Sequence, residues 1–126
     1  MMRTKIETPD APAAIGPYSQ AIRYGDLLFV SGQLPIDPAK GAMEAPDIAV
    51  QTRRVLSNLT AVVRAAGMKP ENILRCTCFL ADMNEFPKFN EVYAEFFGKD
   101  APSRETVQVA RLPKDSRVEI SAVCGA

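Results

Sequence analysis

The stretch DIAVQTRRVLSNLTAVVRAAG, residues 47–67, and the stretch LRCTCFL that follows it, residues 74–80, decide the fold class between them. In the first, Ile48, Thr52, Val55, Leu56, Leu59, Val62, Val63 and Ala66 recur at spacings of three and four, which gathers them into one stripe of a helix. Asp47 stands where a helix N-cap belongs and Gly67 where a helix stops. In the second, Leu74, Cys76, Cys78 and Leu80 alternate with Arg75, Thr77 and Phe79, the period of a buried strand. A helix that feeds a strand across a short break at Pro70 and Asn72 requires helices and sheet to share one core.

Working outward, residues 20–30 read as a hairpin around Gly25 and Asp26, with Ile22 and Tyr24 on one arm and Leu27, Leu28, Phe29 and Val30 on the other. Residues 35–46 carry Pro35, Pro38 and Pro46 with Gly41, and proline lacks the donor a sheet or helix interior needs, so a loop is expected. A second helix is expected from Asn84 as its cap to Gly98, with Pro87 in its first turn. Its stripe of Phe86, Phe89, Tyr93, Phe96 and Phe97 reads as core. Two further strands are expected at 105–110 and 117–123, joined by a loop carrying Pro113, Asp115 and Ser116. The resulting order of strands, helix, strand, helix, strands implies one mixed sheet with both helices on one face, an α+β domain spanning residues 1–126. Val107, Val109, Val118, Ile120 and Ala122 make apolar rows with few charges beside them, so the uncovered face is expected to meet a partner subunit.

Composition narrows the function. Fifteen basic and fifteen acidic residues cancel to a net charge of zero, which offers no footprint for nucleic acid, a polyanion bound through clustered Lys and Arg. No apolar run approaches the roughly 18 residues that cross a bilayer, and no secretion signal is visible, so a cytoplasmic location is expected. Three cysteines, Cys76, Cys78 and Cys124, fit reduced thiols better than a disulfide framework. They would give a zinc ion only three sulfurs, with no histidine to complete the set, and no metal site is expected. The absence of histidine also removes Ser-His and Cys-His nucleophilic pairs, leaving acid-base work to carboxylates, hydroxyls, backbone groups and water.

Four segments in register, IGPYSQA (15–21), VSGQLP (30–35), FNEVYAEFF (89–97) and APSRETVQVARLPKD (101–115), with the closing VEISAV, closely resemble the reactive intermediate deaminase (Rid, formerly YjgF-like) family and its RidA subgroup, over essentially the whole chain. The resemblance implies a chorismate-mutase-like fold and a homotrimer with its sheets packed inward and three clefts between subunits. It also implies hydrolysis of 2-aminoacrylate and 2-aminocrotonate, or their imine tautomers, to 2-keto acids and ammonia, with no cofactor.

Carried over residue by residue, the resemblance implies that Arg104 holds the substrate carboxylate, a task suited to a planar, permanently charged fork. It implies that Glu119 positions or deprotonates the attacking water, and that Tyr18, Ser31 and Asn90 line the cleft beside Gly32, where backbone can approach a small ligand closely. Thr106 stands where many relatives carry cysteine, which leaves its backbone carbonyl and amide for the substrate and excludes thiol chemistry. Glu105, unusual beside the arginine, should point to the opposite face of its strand. Three alternatives stay open: non-catalytic binding of 2-keto acids or similar metabolites, chemistry on another acrylate in pyrimidine breakdown, and RNA cleavage, which zero net charge and the missing histidine disfavour.

Overall fold

The structure is a computed structural model that describes residues 2–126; of the expected domain only Met1 lies outside it. Eight strands and two α-helices follow in the order β1 (Arg3–Ile6), β2 (Ala21–Tyr24), β3 (Leu27–Gln33), β4 (Ile36–Asp37), β5 (Ala42–Met43), α1 (Ile48–Ala65), β6 (Ile73–Leu80), α2 (Phe86–Phe97), β7 (Ser103–Gln108) and β8 (Val118–Gly125). Six strands form one mixed sheet in the order β1-β2-β3-β8-β6-β7, in which only β6 and β7 are parallel neighbours.

The topology explains why both helices share a face. β3 and β6 run the same way with β8 antiparallel between them, and β6 and β7 are parallel, so α1 and α2 are successive crossovers advancing in one direction across the sheet. Crossovers are right-handed almost without exception, and two of the same hand and direction lie on the same side. α1 therefore packs on β8 and β3 with α2 beside it. Leu28, Val30, Cys76, Cys78, Leu80, Val118, Ile120, Ala122 and Cys124 point from the sheet into this layer and meet Val55, Leu56, Leu59, Val62 and Val63.

α1 begins as expected, with Asp47 Oδ1 accepting a hydrogen bond from Val50 N at 3.0 Å, and gives way at Ala66 before Gly67. The hairpin turns at Gly25, whose φ of +61° a side chain would resist. Three expectations need correction, and one strand was not foreseen. The cap before α2 is Asp82, not Asn84: its Oδ1 accepts from Asn84 N at 2.9 Å and starts a 3-10 turn that runs into the helix. β7 begins at Ser103 and ends at Gln108, because pairing with Arg75–Leu80 of β6, rather than side-chain type, sets its limits. The proline-bearing segment 35–46 contains the two-residue ladder of β4 and β5, whose pairs Ile36↔Met43 and Asp37↔Ala42 avoid all three prolines. Residues 3–6, which carry no strand signal, form β1 by adding to the edge of β2.

The apolar rows are distributed differently from the expectation. Val118, Ile120 and Ala122 face the helices, whereas the uncovered face carries Tyr24, Leu27, Phe29 and Val107, which stay 41–47% exposed in a single chain.

Candidate active site

The residues singled out in the sequence fall into two groups. Tyr18, Ser31, Gly32 and Glu119 border a cavity of about 620 Å³, with Pro12, Ile15, Gln33, Pro113 and Lys114 among its other walls. Arg104, Asn90 and Thr106 lie elsewhere, at the outer edge of the sheet and in its helix layer.

In the cavity group, the β3–β8 ladder slips between Val30 and Gln33, and this bulge presents Ser31 and Gly32. Glu119, early in β8 on the uncovered face, lays its carboxylate over Gly32 so closely that a Cβ there would stand 2.2 Å from Oε2. The glycine is thus needed to seat Glu119, a reason the sequence did not show. Half-burial desolvates this carboxylate and raises its pKa above the ordinary value. Ser31 Oγ donates to Ser19 O at 2.6 Å, so its proton is committed to the loop while its lone pairs remain.

Tyr18 reaches the cavity from the segment between β1 and β2, 52% exposed. Buried Gln20 ties that segment down: its Oε1 accepts from Thr8 N at 2.7 Å and its Nε2 donates to Thr8 O, Ala11 O and Pro12 O. Buried Gln51 does the same on the other side, accepting from Arg117 N at 2.8 Å just before β8 and donating to Glu44 O and Ala45 O. Neither glutamine stood out in the sequence, although a polar residue within the apolar stripe of α1 was the available signal for Gln51. Lys114 was also missed. It sits on the cavity rim in a turn where it and Asp115 both adopt a φ of +56°.

In the edge group, Arg104 of β7 points into the helix layer and meets α2. Its Nη1 donates to Asn90 Oδ1 at 2.8 Å. Its guanidinium carbon lies 4.7 Å from the Tyr93 ring centroid, 5.4 Å from that of Phe86 and 5.9 Å from that of Phe89. No carboxylate of the described residues pairs with it. Glu105 points to the opposite face, as expected, and pairs with Arg75.

The side chain of Thr106 is turned into the helix layer. Its hydroxyl is enclosed against the Cys78 thiol with no other partner, so the side chain does not face a ligand. Its backbone does. Val109 N donates to Leu80 O at 3.0 Å, and the alternation along a parallel ladder turns positions 105 and 107 to β6, leaving the N–H and C=O of Arg104 and Thr106 directed outward from the free edge of β7. The three thiols are buried in the core, and desolvation raises the pKa of Cys76 and Cys78, the latter to about 12.

Glu119 and Arg104 occupy opposite faces of the sheet, two strands and three residues apart, which at ordinary strand spacing separates their backbones by about 14 Å. One chain does not bring the two groups to one point.

Residues 8–125 match the family described as Endoribonuclease L-PSP. A RutC family protein of Pyrococcus horikoshii is 51% identical over 122 residues, covering 97% of both chains. The 2-iminobutanoate/2-iminopropanoate deaminase of Salmonella typhimurium is 45% identical over 125 residues, again covering 97% of each. Among solved structures, Escherichia coli TdcF with bound serine superposes with a TM-score of 0.94 at 44% identity, covering 98% of both chains. The shared fold is the chorismate-mutase-like α+β fold that the family resemblance implied.

Proposed function

The chain belongs to the Endoribonuclease L-PSP family, the YjgF/RutC/Rid proteins, and on that premise we propose that it is a cofactor-free deaminase hydrolysing 2-imino acids and their enamine tautomers to 2-keto acids and ammonia. The substrates are 2-iminobutanoate and 2-iminopropanoate, reactive products released by pyridoxal-phosphate enzymes, and the whole chain acts as one domain. The observation that carries the reading is Arg104: a half-buried guanidinium, oriented by Asn90 and three rings, with no carboxylate of the described residues as counter-ion. A substrate carboxylate supplies that missing partner, and a planar fork can take both of its oxygens.

The active assembly is a homotrimer. Tyr24, Leu27, Phe29 and Val107 on the uncovered face favour burial against further copies, and the separation of Glu119 from Arg104 favours a cleft to which two subunits contribute. Arg104 then holds the carboxylate, with the outward backbone groups of Thr106 beside it. Glu119, its pKa raised by half-burial, takes a proton from water. The water oxygen bonds to the imine carbon while the C=N electron pair moves to nitrogen, which takes the proton that Glu119 received and so returns the carboxylate to its starting state. The carbinolamine then loses ammonia as its oxygen forms the keto group. Tyr18 and Ser31 border the small substrate within the cavity.

Zero net charge and the absence of histidine from the sequence support this reading over the nuclease chemistry in the family's description. The deciding assay measures ammonia release from 2-aminocrotonate generated in situ by a threonine dehydratase. Acceleration over buffer supports the enzyme, whereas binding of 2-oxobutanoate without acceleration replaces it by a metabolite-binding protein.

A further inference from the structure

We propose that the aromatic face of α2 is a positioning device for Arg104, in which Phe86, Phe89 and Tyr93 form a platform that fixes the guanidinium before any ligand arrives. The inference rests on the reading of Arg104 as carboxylate clamp and assigns the rings a role beyond packing.

The three rings form one tilted run. Phe86 and Phe89 centroids are 6.2 Å apart, and those of Phe89 and Tyr93 5.6 Å apart. Phe89 and Tyr93 are buried, so the rings cannot move away from the cation, and Arg104 carries its charge to within 4.7–5.9 Å of all three centroids. The negative faces of aromatic rings attract a cation, more strongly where water is excluded. One N–H is committed to Asn90 at 2.8 Å, which sets the rotation of the guanidinium plane, and no other acceptor among the described residues takes the remaining four. The rings neutralise part of the desolvation cost without using an N–H, as a carboxylate counter-ion would, so the fork stays open to a ligand. A flexible arginine must surrender rotamer freedom on binding; one already held surrenders less, and the saving appears as ligand affinity. The ring nearest the cation is Tyr93, whose hydroxyl is enclosed with only the Cys76 thiol beside it and takes no part in holding the guanidinium. Phenylalanine would fill that core position without an unpaired polar atom, so the hydroxyl is predicted to be dispensable and the π face essential.

The test compares Tyr93→Leu with Tyr93→Phe on the assembled protein. The readouts are the Nε–H resonance of Arg104, the dissociation constant for 2-oxobutanoate, and the split between KM and kcat. In wild type the rings should shift the Nε–H resonance and slow its exchange with water. Tyr93→Leu should lose that signature and weaken 2-oxobutanoate about 5- to 30-fold, with most of the loss in KM. Tyr93→Phe should restore all three. Should Tyr93→Leu fail to assemble, Phe86→Leu removes the half-buried ring and should move the same readouts to a lesser degree. A Tyr93→Leu or Phe86→Leu protein that assembles and keeps the wild-type resonance and affinity overturns the platform, as does a Tyr93→Phe protein as impaired as Tyr93→Leu. If wild type neither binds 2-oxobutanoate nor releases ammonia, the carboxylate reading falls, and the Nε–H resonance still decides whether the rings hold Arg104.

Discussion

Replacing Gly32 by alanine should slow turnover through Glu119 while leaving the fold in place. Gly32 lies outside the positive-φ region, so alanine is conformationally acceptable there. The new Cβ would stand 2.2 Å from Glu119 Oε2, 2.7 Å from Cδ and 3.0 Å from Cγ, so its three nearest neighbours all belong to this one side chain. To restore ordinary contact the carboxylate must retreat by more than 1 Å, and its flexible stem permits this with little movement of the backbone. The stability cost should stay within about 1–3 kcal/mol, the usual range for a local overpacking. A reacting group misplaced by about 1 Å can lose about 10²-fold in rate, so kcat should fall on that order. The affinity for 2-oxobutanoate should change little, because Arg104 is on the other face of the sheet. Ammonia release, calorimetric titration and denaturant unfolding on the same trimeric fraction give the three quantities. In a Glu119→Ala background the added methyl finds space, and Gly32→Ala should cost no further kcat. Wild-type kcat for Gly32→Ala, or an equal loss in the Glu119→Ala background, would refute the claim that Gly32 acts by seating Glu119.

Glu119→Gln should lower kcat yet raise the melting temperature at pH 7. A raised carboxylate pKa means the folded state binds the proton more tightly than the unfolded one, so stability falls as pH rises through the folded pKa. Removing the charge relieves that penalty, and the gain in melting temperature should vanish in acid, where the wild-type side chain is already protonated; a gain independent of pH would contradict it. Arg104→Lys keeps the charge and loses the fork, so kcat/KM should fall about 10²-fold in a protein that remains assembled, as steady-state ammonia release and light scattering on one sample would show. Phe29→Glu places a charge on the exposed apolar face and should shift light-scattering mass from trimer to monomer with loss of activity. A Phe29→Glu trimer of normal activity would move the subunit interface elsewhere.

Local signals in the sequence sufficed to place α1, the β2–β3 hairpin, β6 and β8, but not every burial: Leu74, read with the buried row of β6, is exposed, because the β6–β8 register slips between Ile73 and Arg75 and turns Ile73 inward. Tyr18, Ser31, Gly32, Asn90, Arg104, Thr106 and Glu119 were marked in the sequence by resemblance to a family, whose motifs are properties of neighbours in the chain. β1 and the β4–β5 ladder were not legible, for a short strand with little apolar content forms only because a complementary edge lies nearby. Capping by Asp82 rather than Asn84 was a competition between two adequate residues that the path of the chain settled. What only the tertiary structure decided is how the marked residues are grouped. Strand order and side-chain alternation put Glu119 on Gly32 and Arg104 on the rings of α2, on opposite faces of one sheet. A stripe that sequence reads as core became the seat of a charge, because the pairing of Arg104 with Cys76 across two parallel strands is a long-range contact that no local period encodes.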